Sequence, residues 1–408
     1  MKNSKLEGWL VWVSLGCLCA LPAAADWPQF RGPGGSGVAA EDESLSPSWP
    51  EAGPKVLWRK ALGDGFATPV AAGDAIYVLA GDAEGEFAVR FDPASGEEDW
   101  RTPIGPLFEE AFGNGPRSTP TVDGDVLFAL SSTGMLSALS LKDGAVRWQV
   151  DAGEAWGAKV PQRGFCPSPL VVGDLLILEI GGSEGRGIVA LDKANGKARW
   201  SHGEYRTGYS TPVVATIDGV EQLIFAHSTV PFIEGVDLKG KSLWKHEWPP
   251  GTIAMPVFVP PNRVLVSATA DVGAVLLEIA RQDGEFAATE VWRNRLLKNH
   301  FSSSLVLGGE IYGFDNGTLK CLDAATGEQC WAKRGFGKGS LIAADGKLVV
   351  LGDRGQLALV EATPEAYKEL GSMTAFESKT WSSPALTDGR LLLRDQAEIL
   401  CLEVGERG

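Results

Sequence analysis

The sequence predicts an all-β fold, an eight-bladed β-propeller built from four-stranded antiparallel blades. The main observation is a repeated stretch that consists of an apolar strand, a turn containing glycine, and a strand ending in tryptophan. Its clearest copies are residues 89–100, 137–148, 189–200 and 317–331. A single copy cannot bury its apolar face, so the copies must pack side by side. The 51 glycines and 24 prolines supply the many tight turns that an all-β chain needs.

Eight such units follow one another along the chain. They span residues 68–100, 119–148, 168–200, 211–244, 255–292, 303–331, 340–370 and 383–404. The fifth unit is degenerate, the seventh lacks the final tryptophan, and the eighth ends one strand short. Their spacing suits four-stranded blades, whereas a β-helix has much shorter periods. A single tryptophan at the end of each blade is a packing pattern, which predicts that these side chains lie between neighbouring blades.

Residues 56–60 can supply the strand that the eighth unit lacks. They contain Trp58 in the same pattern as the last strand of a unit. The strands that would begin such a unit are missing before them. Pairing this segment into the last blade closes the ring and leaves no free sheet edge. We therefore expect the propeller to extend over residues 55–404, followed by a short tail over 405–408.

The N-terminal 25 residues have the features of a secretory signal peptide. Lys2 and Lys5 precede an apolar run over 9–21, and three consecutive alanines end at Ala25. We expect cleavage after Ala25 and export to the periplasm or the extracellular space. A lipoprotein anchored at Cys17 is the alternative, but the three residues before it form a poor lipidation signal. No later apolar run is long enough to cross a bilayer.

Residues 26–54 show no strand periodicity and are rich in glycine and proline. Two aromatic residues, Trp27 and Phe30, lie close together at the start of this stretch. Disordered leaders are poor in aromatic residues. The stretch is therefore predicted to be an N-terminal arm that lies on the propeller, with these two side chains as anchors.

Charge and motifs exclude several classes of function. The net charge of −15 argues against nucleic acid as a partner and against broad adhesion to an anionic membrane. The four histidines fall in different units without metal-type spacing, which predicts no zinc site. No nucleotide-binding or serine-hydrolase motif occurs. The sequence therefore predicts no metal site and no catalytic residue.

Two of the four cysteines outside the N-terminal 25 residues flank one hairpin. If Asp323 pairs with Glu328, then Cys321 lies opposite Cys330. Such a pair can form a cross-strand disulfide where the β-carbon geometry permits it. Two buried free thiols are the other alternative, and the sequence leaves both open.

The repeated unit, Ala/Cys-Leu-Asp-x-x-x-Gly-x-x-x-Trp, resembles the repeat of the pyrroloquinoline quinone (PQQ)-like β-propellers over nearly all of residues 54–404. The sequences at 26–33, 299–303, 337–348 and 381–384 resemble a secreted bacterial subgroup of that family. One branch of the family consists of quinoprotein dehydrogenases, which hold PQQ and Ca²⁺ on the propeller axis. Another includes the non-catalytic propeller lipoprotein of the outer-membrane barrel-assembly machinery.

The resemblance implies a non-catalytic binding or scaffolding module of the cell envelope. The chain has no adjacent cysteine pair and no repeat-equivalent cluster of Asp, Glu and Asn that suits Ca²⁺. We therefore expect a monomer without a cofactor, whose partner is an unidentified envelope protein or peptide. A PQQ-dependent oxidoreductase with Ca²⁺ is one alternative. A polysaccharide-binding propeller is the other, on the expectation that Trp156 and Trp248 are exposed.

Alignment of the units identifies the residues that should approach the axis. They lie three positions before the proline, or its substitute, that begins each blade: Phe66, Arg117, Cys166, Tyr209, Ile253, Phe301, Lys338 and Trp381. Arg163 and His300 lie close to this ring in sequence. Aromatic side chains with cations predict a pocket for an anionic or aromatic ligand, or for a peptide. A channel filled by these side chains is the alternative.

Two long segments, 101–118 and 149–167, are expected to enter the same face of the propeller. Long loops on a rigid scaffold often carry binding residues.

Overall fold

The apolar strands of the eight units form eight separate four-stranded antiparallel sheets around one axis. The structure, a computed structural model, describes residues 26–269 and 271–405. Each sheet corresponds to one predicted unit, so the predicted fold class is confirmed. The predicted signal peptide, residues 1–25, lies outside the described residues.

The strands are numbered in chain order, starting with β1 (Lys55–Ala61). From the axis outward, blade 1 contains β2 (Val70–Ala72), β3 (Ala75–Asp82), β4 (Gly85–Phe91) and β5 (Glu98–Gly105). Blade 2 contains β6 (Thr121–Asp123), β7 (Val126–Leu130), β8 (Met135–Ser140) and β9 (Val146–Asp151). Blade 3 contains β10 (Leu170–Val172), β11 (Leu175–Glu179), β12 (Ile188–Asp192) and β13 (Ala198–His202). Blade 4 contains β14 (Val213–Ile217), β15 (Val220–Ala226), β16 (Phe232–Asp237) and β17 (Ser242–Glu247).

The second half of the ring follows the same order. Blade 5 contains β18 (Val257–Val259), β19 (Arg263–Ala268), β20 (Gly273–Gln282) and β21 (Glu285–Asn294). Blade 6 contains β22 (Leu305–Leu307), β23 (Glu310–Asp315), β24 (Thr318–Asp323) and β25 (Gln329–Arg334). Blade 7 contains β26 (Ser340–Ala344), β27 (Lys347–Leu351), β28 (Gln356–Glu361) and β29 (Glu369–Thr374). Blade 8 contains β30 (Ala385–Thr387), β31 (Arg390–Arg394), β32 (Glu398–Glu403) and, as its outer strand, β1.

The N-terminal strand closes the ring, as predicted. β1 pairs antiparallel with β32, from Lys55 opposite Glu403 to Ala61 opposite Glu398. Outside the strands there are only a short helix, α1 (Ala152–Trp156), and a 3₁₀ turn (Pro33–Gly35) within the described residues. In that part of the chain, no helix is long and apolar enough to cross a membrane.

The tryptophan that ends a unit joins its blade to the next in most of the ring; Trp244 is an exception and donates to Gln222 of its own blade. Trp148, for example, donates its indole N–H to the Lys193 carbonyl of blade 3 at 3.1 Å. Its ring lies against Gly196, where a β-carbon would come within 2.8 Å of Trp148 Cε3. Trp58, Trp100, Trp200, Trp292 and Trp331 make the same indole bond to the following blade. The predicted packing between blades is therefore confirmed.

A β-bulge precedes the tryptophan position in every blade. The ladder between the third and outer strands shifts by one residue there in all eight sheets. In blade 6 the bulge leaves Cys330 without a partner and places Cys321 opposite Trp331. The predicted register, with Cys321 opposite Cys330, is therefore wrong. Both thiols are free in the structure, with Cys321 buried and Cys330 exposed.

A second set of contacts joins the blades near the axis. The serine or threonine that begins a blade accepts a hydrogen bond from the backbone N–H at the same position of the preceding blade. The pairs are Ser383 to Thr68, Thr68 to Thr119, Thr119 to Ser168, Ser168 to Thr211, and Met255 to Ser303. The series is interrupted at blade 5, where Met255 carries no hydroxyl, and the described residues show no such bond at either junction of blade 7, where the Ser340 hydroxyl donates to the Ser382 carbonyl instead. This explains why hydroxyl residues begin most of the units.

The N-terminal arm crosses one end of the axial channel. Trp27 pairs with Ala71 of blade 1 and is fully buried. Four residues later, the buried Arg31 guanidinium donates to the carbonyls of Ser303 and Ser304 of blade 6, at 3.0 and 2.6 Å. Since blades 1 and 6 lie on different sides of the ring, the segment between them spans the channel. The arm then continues along blade 7, where Val38 pairs with Ala343.

The end of the arm supplies the tryptophan that blade 7 lacks. Gly371 stands at the register position that Trp200 occupies in blade 3. Trp49 of the arm lies there instead: a β-carbon on Gly371 would come within 2.6 Å of Trp49 Cβ. The Trp49 backbone N–H donates to the Leu370 carbonyl at 3.0 Å. The arm therefore fills the gap left by the missing side chain of the repeat.

A buried network of charged side chains crosses the seam between blades 3 and 4. His227 Nδ1 lies 3.3 Å from Glu179 Oε1, and His227 Nε2 lies 3.1 Å from Glu234 Oε1. Glu234 also contacts His202 and accepts a hydrogen bond from the Tyr205 hydroxyl. Burial lowers the pKa of His227, but the two carboxylates outweigh it and raise the pKa to about 9. The imidazolium therefore links a carboxylate from each blade at neutral pH.

We expect Gly196→Ala to destabilise the propeller by about 1–3 kcal/mol more than Gly173→Ala, because the new methyl group meets the Trp148 ring. The two glycines are a matched pair in blade 3. Both have positive φ, 70° and 56°, but a β-carbon on Gly173 has nothing within 4 Å. Urea unfolding measures the difference. Equal losses in the two variants would show that the tryptophan contact does not hold the blades together.

We expect the protein to lose stability as the pH rises from about 6.5 to about 9. The folded pKa of His227, about 9, lies above its ordinary value of 6.5. Its charge therefore stabilises the fold fully below pH 6.5, and this contribution disappears as the pH passes the folded value. The loss corresponds to about 3 kcal/mol by linkage. Urea unfolding at a series of pH values measures it.

The controls for this pH dependence are two histidine variants. His227→Gln should be less stable at pH 7 and should no longer lose stability between pH 7.5 and 9. His246→Gln should retain the dependence, because His246 pairs with Glu290 outside the network. A slope that persists unchanged in His227→Gln would contradict the assignment.

Candidate functional site

The residues predicted to approach the axis surround one cavity of about 510 Å³. All ten candidates line it: Phe66, Arg117, Arg163, Cys166, Tyr209, Ile253, His300, Phe301, Lys338 and Trp381. Each lies in the segment that leads from one blade into the inner strand of the next, so the repeat delivers one side chain per blade to the same level. The alternative of an axis filled by these side chains is therefore wrong. Their role as a ligand surface stays a prediction.

The N-terminal arm and the blade-starting hydroxyls form the inner end of this cavity. Phe30 lines it between the two points where the arm crosses to opposite sides of the ring. Thr68, Thr119 and Ser168 line the wall, and their hydroxyl oxygens already accept backbone hydrogen bonds. The cavity is thus closed at the end crossed by the arm.

Aromatic side chains form one side of the cavity. The ring of Trp381 lies 5.0 Å from that of Phe301 and 5.6 Å from that of Phe66, between centroids. Phe112 completes the cluster at 6.1 Å from Trp381 and is 47% exposed. Blades 8, 6 and 1 supply three of these rings, which gives a broad apolar wall that suits an apolar or aromatic group.

Two arginines and a glutamate lie against the Phe66 and Phe112 end of this wall. The guanidinium carbon of Arg117 lies 5.1 Å from the Phe66 ring centroid, and that of Arg163 lies 4.1 Å from the Phe112 ring centroid. Glu110 accepts from Arg117 at 3.3 Å and forms an ion pair with Arg163 through its other oxygen. Arg117 also donates to the carbonyls of Gly113 and Gly115, at 2.7 and 2.8 Å. Burial lowers the pKa of Arg117, and the Glu110 carboxylate opposes that shift. Glu110 therefore balances one of the two arginine charges, and the cluster keeps a net charge of +1.

Lys338 and His300 lie beside the aromatic wall without such partners. No hydrogen bond or ion pair to Lys338 Nζ occurs among the residues that the structure describes. The Nδ1 atom of His300 is buried and has no hydrogen-bond partner. Burial and the nearby Lys338 charge lower the pKa of His300, so the ring is neutral at pH 7. The cavity thus offers one free cation and one free imidazole nitrogen.

The remaining ionisable groups of the cavity are poorly suited to act as nucleophiles or as general bases. Burial raises the pKa of the Cys166 thiol to about 12, although Arg117 and Arg163 favour its thiolate. A thiol in that state is a weak nucleophile at neutral pH. Burial also raises the pKa of Tyr209.

The sequence did not identify three residues of the site: Phe30, Glu110 and Phe112. Glu110 and Phe112 belong to the long segment 101–118, which was expected to reach this face, but neither stands at a repeated position. Phe30 was predicted to anchor the arm, and only the path of the arm across the axis brings it to the cavity.

The expectation that Trp156 and Trp248 are exposed is wrong. Trp156 is 6% exposed and Trp248 is 1% exposed. Trp156 ends α1 and packs in the core between blades 2 and 3. Trp248 donates its indole N–H to Thr252 at 2.9 Å. The basis for a polysaccharide-binding surface is thereby removed.

The residues present do not fit a Ca²⁺ and PQQ pair on the axis. Ca²⁺ takes six to eight oxygen ligands, mostly from carboxylates and amides. Among the described residues that line the cavity, Glu110 is the only carboxylate, and both of its oxygens already bind arginine. No group of three or more His, Cys, Asp and Glu side chains in the described part of the chain could hold a metal ion.

Residues 47–150 match a family model, PQQ_2, that is described as outer membrane protein assembly factor BamB. This match covers blade 1, most of blade 2 and the end of the arm. No curated protein sequence matches the chain.

Solved structures of three other propellers resemble this one over most of its length. Quinohemoprotein alcohol dehydrogenase from Comamonas testosteroni has a TM-score of 0.65 and 12% identity, over 94% of this chain and 81% of the other. BamB from Moraxella catarrhalis has a TM-score of 0.59 and 15% identity, over 86% and 99%. The computationally designed protein Ika8 has a TM-score of 0.62 and 11% identity, over 86% and 100%. At these identities the likeness concerns the fold, which catalytic and non-catalytic proteins share. The chain therefore shares the β-propeller fold of these proteins, and its residues 47–150 resemble the BamB family model in sequence.

Proposed function

We propose that this chain is a non-catalytic binding module of the cell envelope, and that its ligand site is the axial cavity. The observation that carries the proposal is the cavity itself. It is deep, has a preformed aromatic wall and is closed at one end by the arm. Its volume of about 510 Å³ falls in the ordinary range for ligand sites.

Charge favours an anionic ligand. Three cations line the cavity, Arg117, Arg163 and Lys338, against the single carboxylate of Glu110. The cavity therefore has an excess of positive charge, whereas the chain as a whole has a net charge of −15. A local positive field in an acidic protein steers anions to one place and repels them elsewhere.

Two observations support the envelope role. The first 25 residues have the pattern of a signal peptide, and the matching family model is described as an outer membrane protein assembly factor. A binding or scaffolding role with a protein partner agrees with both. A PQQ-dependent oxidoreductase is less well supported, because the one carboxylate of the cavity is engaged by two arginines.

We expect the protein to bind anilinonaphthalene sulfonate, an anionic aromatic dye, with one-to-one stoichiometry in this cavity. Ile253→Trp should weaken binding at least tenfold, because the indole fills space that the ligand needs. Val146→Trp is the matched control, since Val146 lies exposed on the outer strand of blade 2 and far from the cavity lining. Fluorescence titration of the dye measures both variants. Unchanged binding in Ile253→Trp would place the ligand elsewhere and refute the axial site.

The non-catalytic part of the proposal has a separate test. Protein incubated with PQQ and Ca²⁺ is expected to give no alcohol-dependent reduction of a redox dye. Sustained turnover that Ile253→Trp abolishes would replace the binding module with an oxidoreductase.

A further inference from the structure

We infer that the axial cavity binds the C-terminus of a partner polypeptide. In this arrangement the terminal carboxylate lies at Lys338 and His300, and the last side chain, which is apolar, packs against Phe301 and Trp381. The inference rests on the proposed function and names the ligand class of the same site. Four features of the cavity lead to it.

The first feature is the number of unsatisfied charges. Arg117 and Arg163 both bind Glu110, and the remaining donors of Arg117 are directed to backbone carbonyls. Lys338 Nζ has no acceptor among the described residues that surround it. The Lys338 side chain is partly buried at the cavity wall, and its ammonium group stays accessible to a ligand. Lys338 is therefore the cation of the cavity whose charged group no acceptor from the described residues engages, and an anionic ligand can bind it without displacing a protein carboxylate.

The second feature is the neighbouring imidazole. His300 Nδ1 is a buried polar atom without a partner, and such atoms are rare in folded proteins. Because Nδ1 is buried, the ring nitrogen that a ligand in the cavity can reach is Nε2, and the neutral ring can carry its proton there and donate it. A carboxylate has two oxygens and accepts from both groups at once, so it suits an ammonium and an imidazole N–H side by side.

The third feature is the position of the aromatic wall. Lys338 enters from blade 7, between the blades that supply Phe301 and Trp381, whose rings lie 5.0 Å apart. The ring of His300 lies 5.5 Å from that of Phe301. An apolar group must therefore sit next to the anion. The last residue of a polypeptide has this arrangement, because its carboxylate and side chain share one carbon atom.

The fourth feature is that the cavity is closed at one end. The arm crosses that end with Phe30 in the lining. An internal segment of a polypeptide would have to enter and leave by the same opening, whereas a chain terminus needs to enter only once.

The rim of the opening favours a polypeptide over a free small molecule. Phe112 and Val160 are 47% and 46% exposed, on the two long segments that contribute to the site. The Arg163 guanidinium lies 4.1 Å from the centroid of the Phe112 ring, which links the two segments at the rim. Phe112 lines the cavity and also extends to its exposed edge. Val160 is not among the lining residues, so a ligand that only fills the cavity does not contact it, whereas the residues that precede a bound terminus can.

The test uses the hexapeptide Gly-Ser-Gly-Ser-Gly-Phe with a free C-terminal carboxylate and the same peptide with a C-terminal amide. Isothermal titration of the full-length mature protein should give at least tenfold tighter binding for the carboxylate. Lys338→Met should remove this discrimination, because it deletes the ammonium and keeps a side chain of similar length. Replacing the terminal Phe by Ala in the peptide should weaken binding at least fivefold.

Lys379→Met is the matched control. Lys379 also lies at this face, 4.5 Å from the Trp381 ring centroid, but its ammonium donates to the Phe112 carbonyl. It should keep the preference for the carboxylate. If both variants lose the preference equally, the carboxylate is selected by the overall positive charge of this face and not by Lys338. That result would overturn the inference.

Two further outcomes separate this inference from the proposed function. If the dye binds in the cavity but the two hexapeptides bind equally or not at all, the axial site stands and the C-terminus inference falls. If N-acetylphenylalanine binds as tightly as the hexapeptide, the ligand is a small aromatic acid and the inference also falls. Val160→Asp should weaken the hexapeptide and leave N-acetylphenylalanine unchanged, because only the longer ligand reaches the rim.

Discussion

The ring depends on the contact between a tryptophan of one blade and a turn glycine of the next. Trp148 illustrates it: the indole N–H binds a carbonyl of blade 3, and the ring leaves no room for a β-carbon on Gly196. The glycine and the tryptophan of one copy of the motif do not contact each other. The glycine contacts the tryptophan of the preceding blade, and the tryptophan contacts the glycine of the following blade. One short repeat therefore specifies both halves of five of the eight junctions, those of Trp58, Trp100, Trp148, Trp200 and Trp292.

The ends of the chain break this pattern, and the arm contacts both blades in which it is broken. Blade 7 has Gly371 at the tryptophan position, and Trp49 of the arm occupies the space. Blade 8 has no turn between its third and outer strands, because these strands come from distant parts of the chain. At the turn between β30 and β31 of this blade, the Glu43 carboxylate of the arm accepts from the backbone N–H groups of Asp388 and Gly389, at 2.5 and 3.2 Å. Because the same arm carries Phe30 to the axis, ring closure and the floor of the cavity depend on one segment.

The repeat made the blades, the closing strand and the axial ring predictable, because each recurs at a fixed place in the unit. Features that occur once were not predictable. Glu110 reaches the cavity from a single long loop, and Phe30 does so only because of the path of the arm. The register at Cys321 was missed because a bulge adds a residue without changing the apolar alternation. The burial of Trp248 was missed because it follows a strand, where periodicity no longer indicates which side chains point inward.

Buried arginines elsewhere in the molecule show how this fold stabilises a structural cation. The guanidinium of Arg31 donates to four backbone carbonyls, and that of Arg394 donates to three. Burial lowers the pKa of each to about 10, so both remain charged at neutral pH. Arg117 follows the same rule with two carbonyls and Glu110. Lys338 departs from it, since its ammonium has no such acceptor among the described residues. The ammonium of Lys338 is therefore available to a group from outside the chain, as the proposed site requires, whereas the buried arginines are already bound by the chain itself.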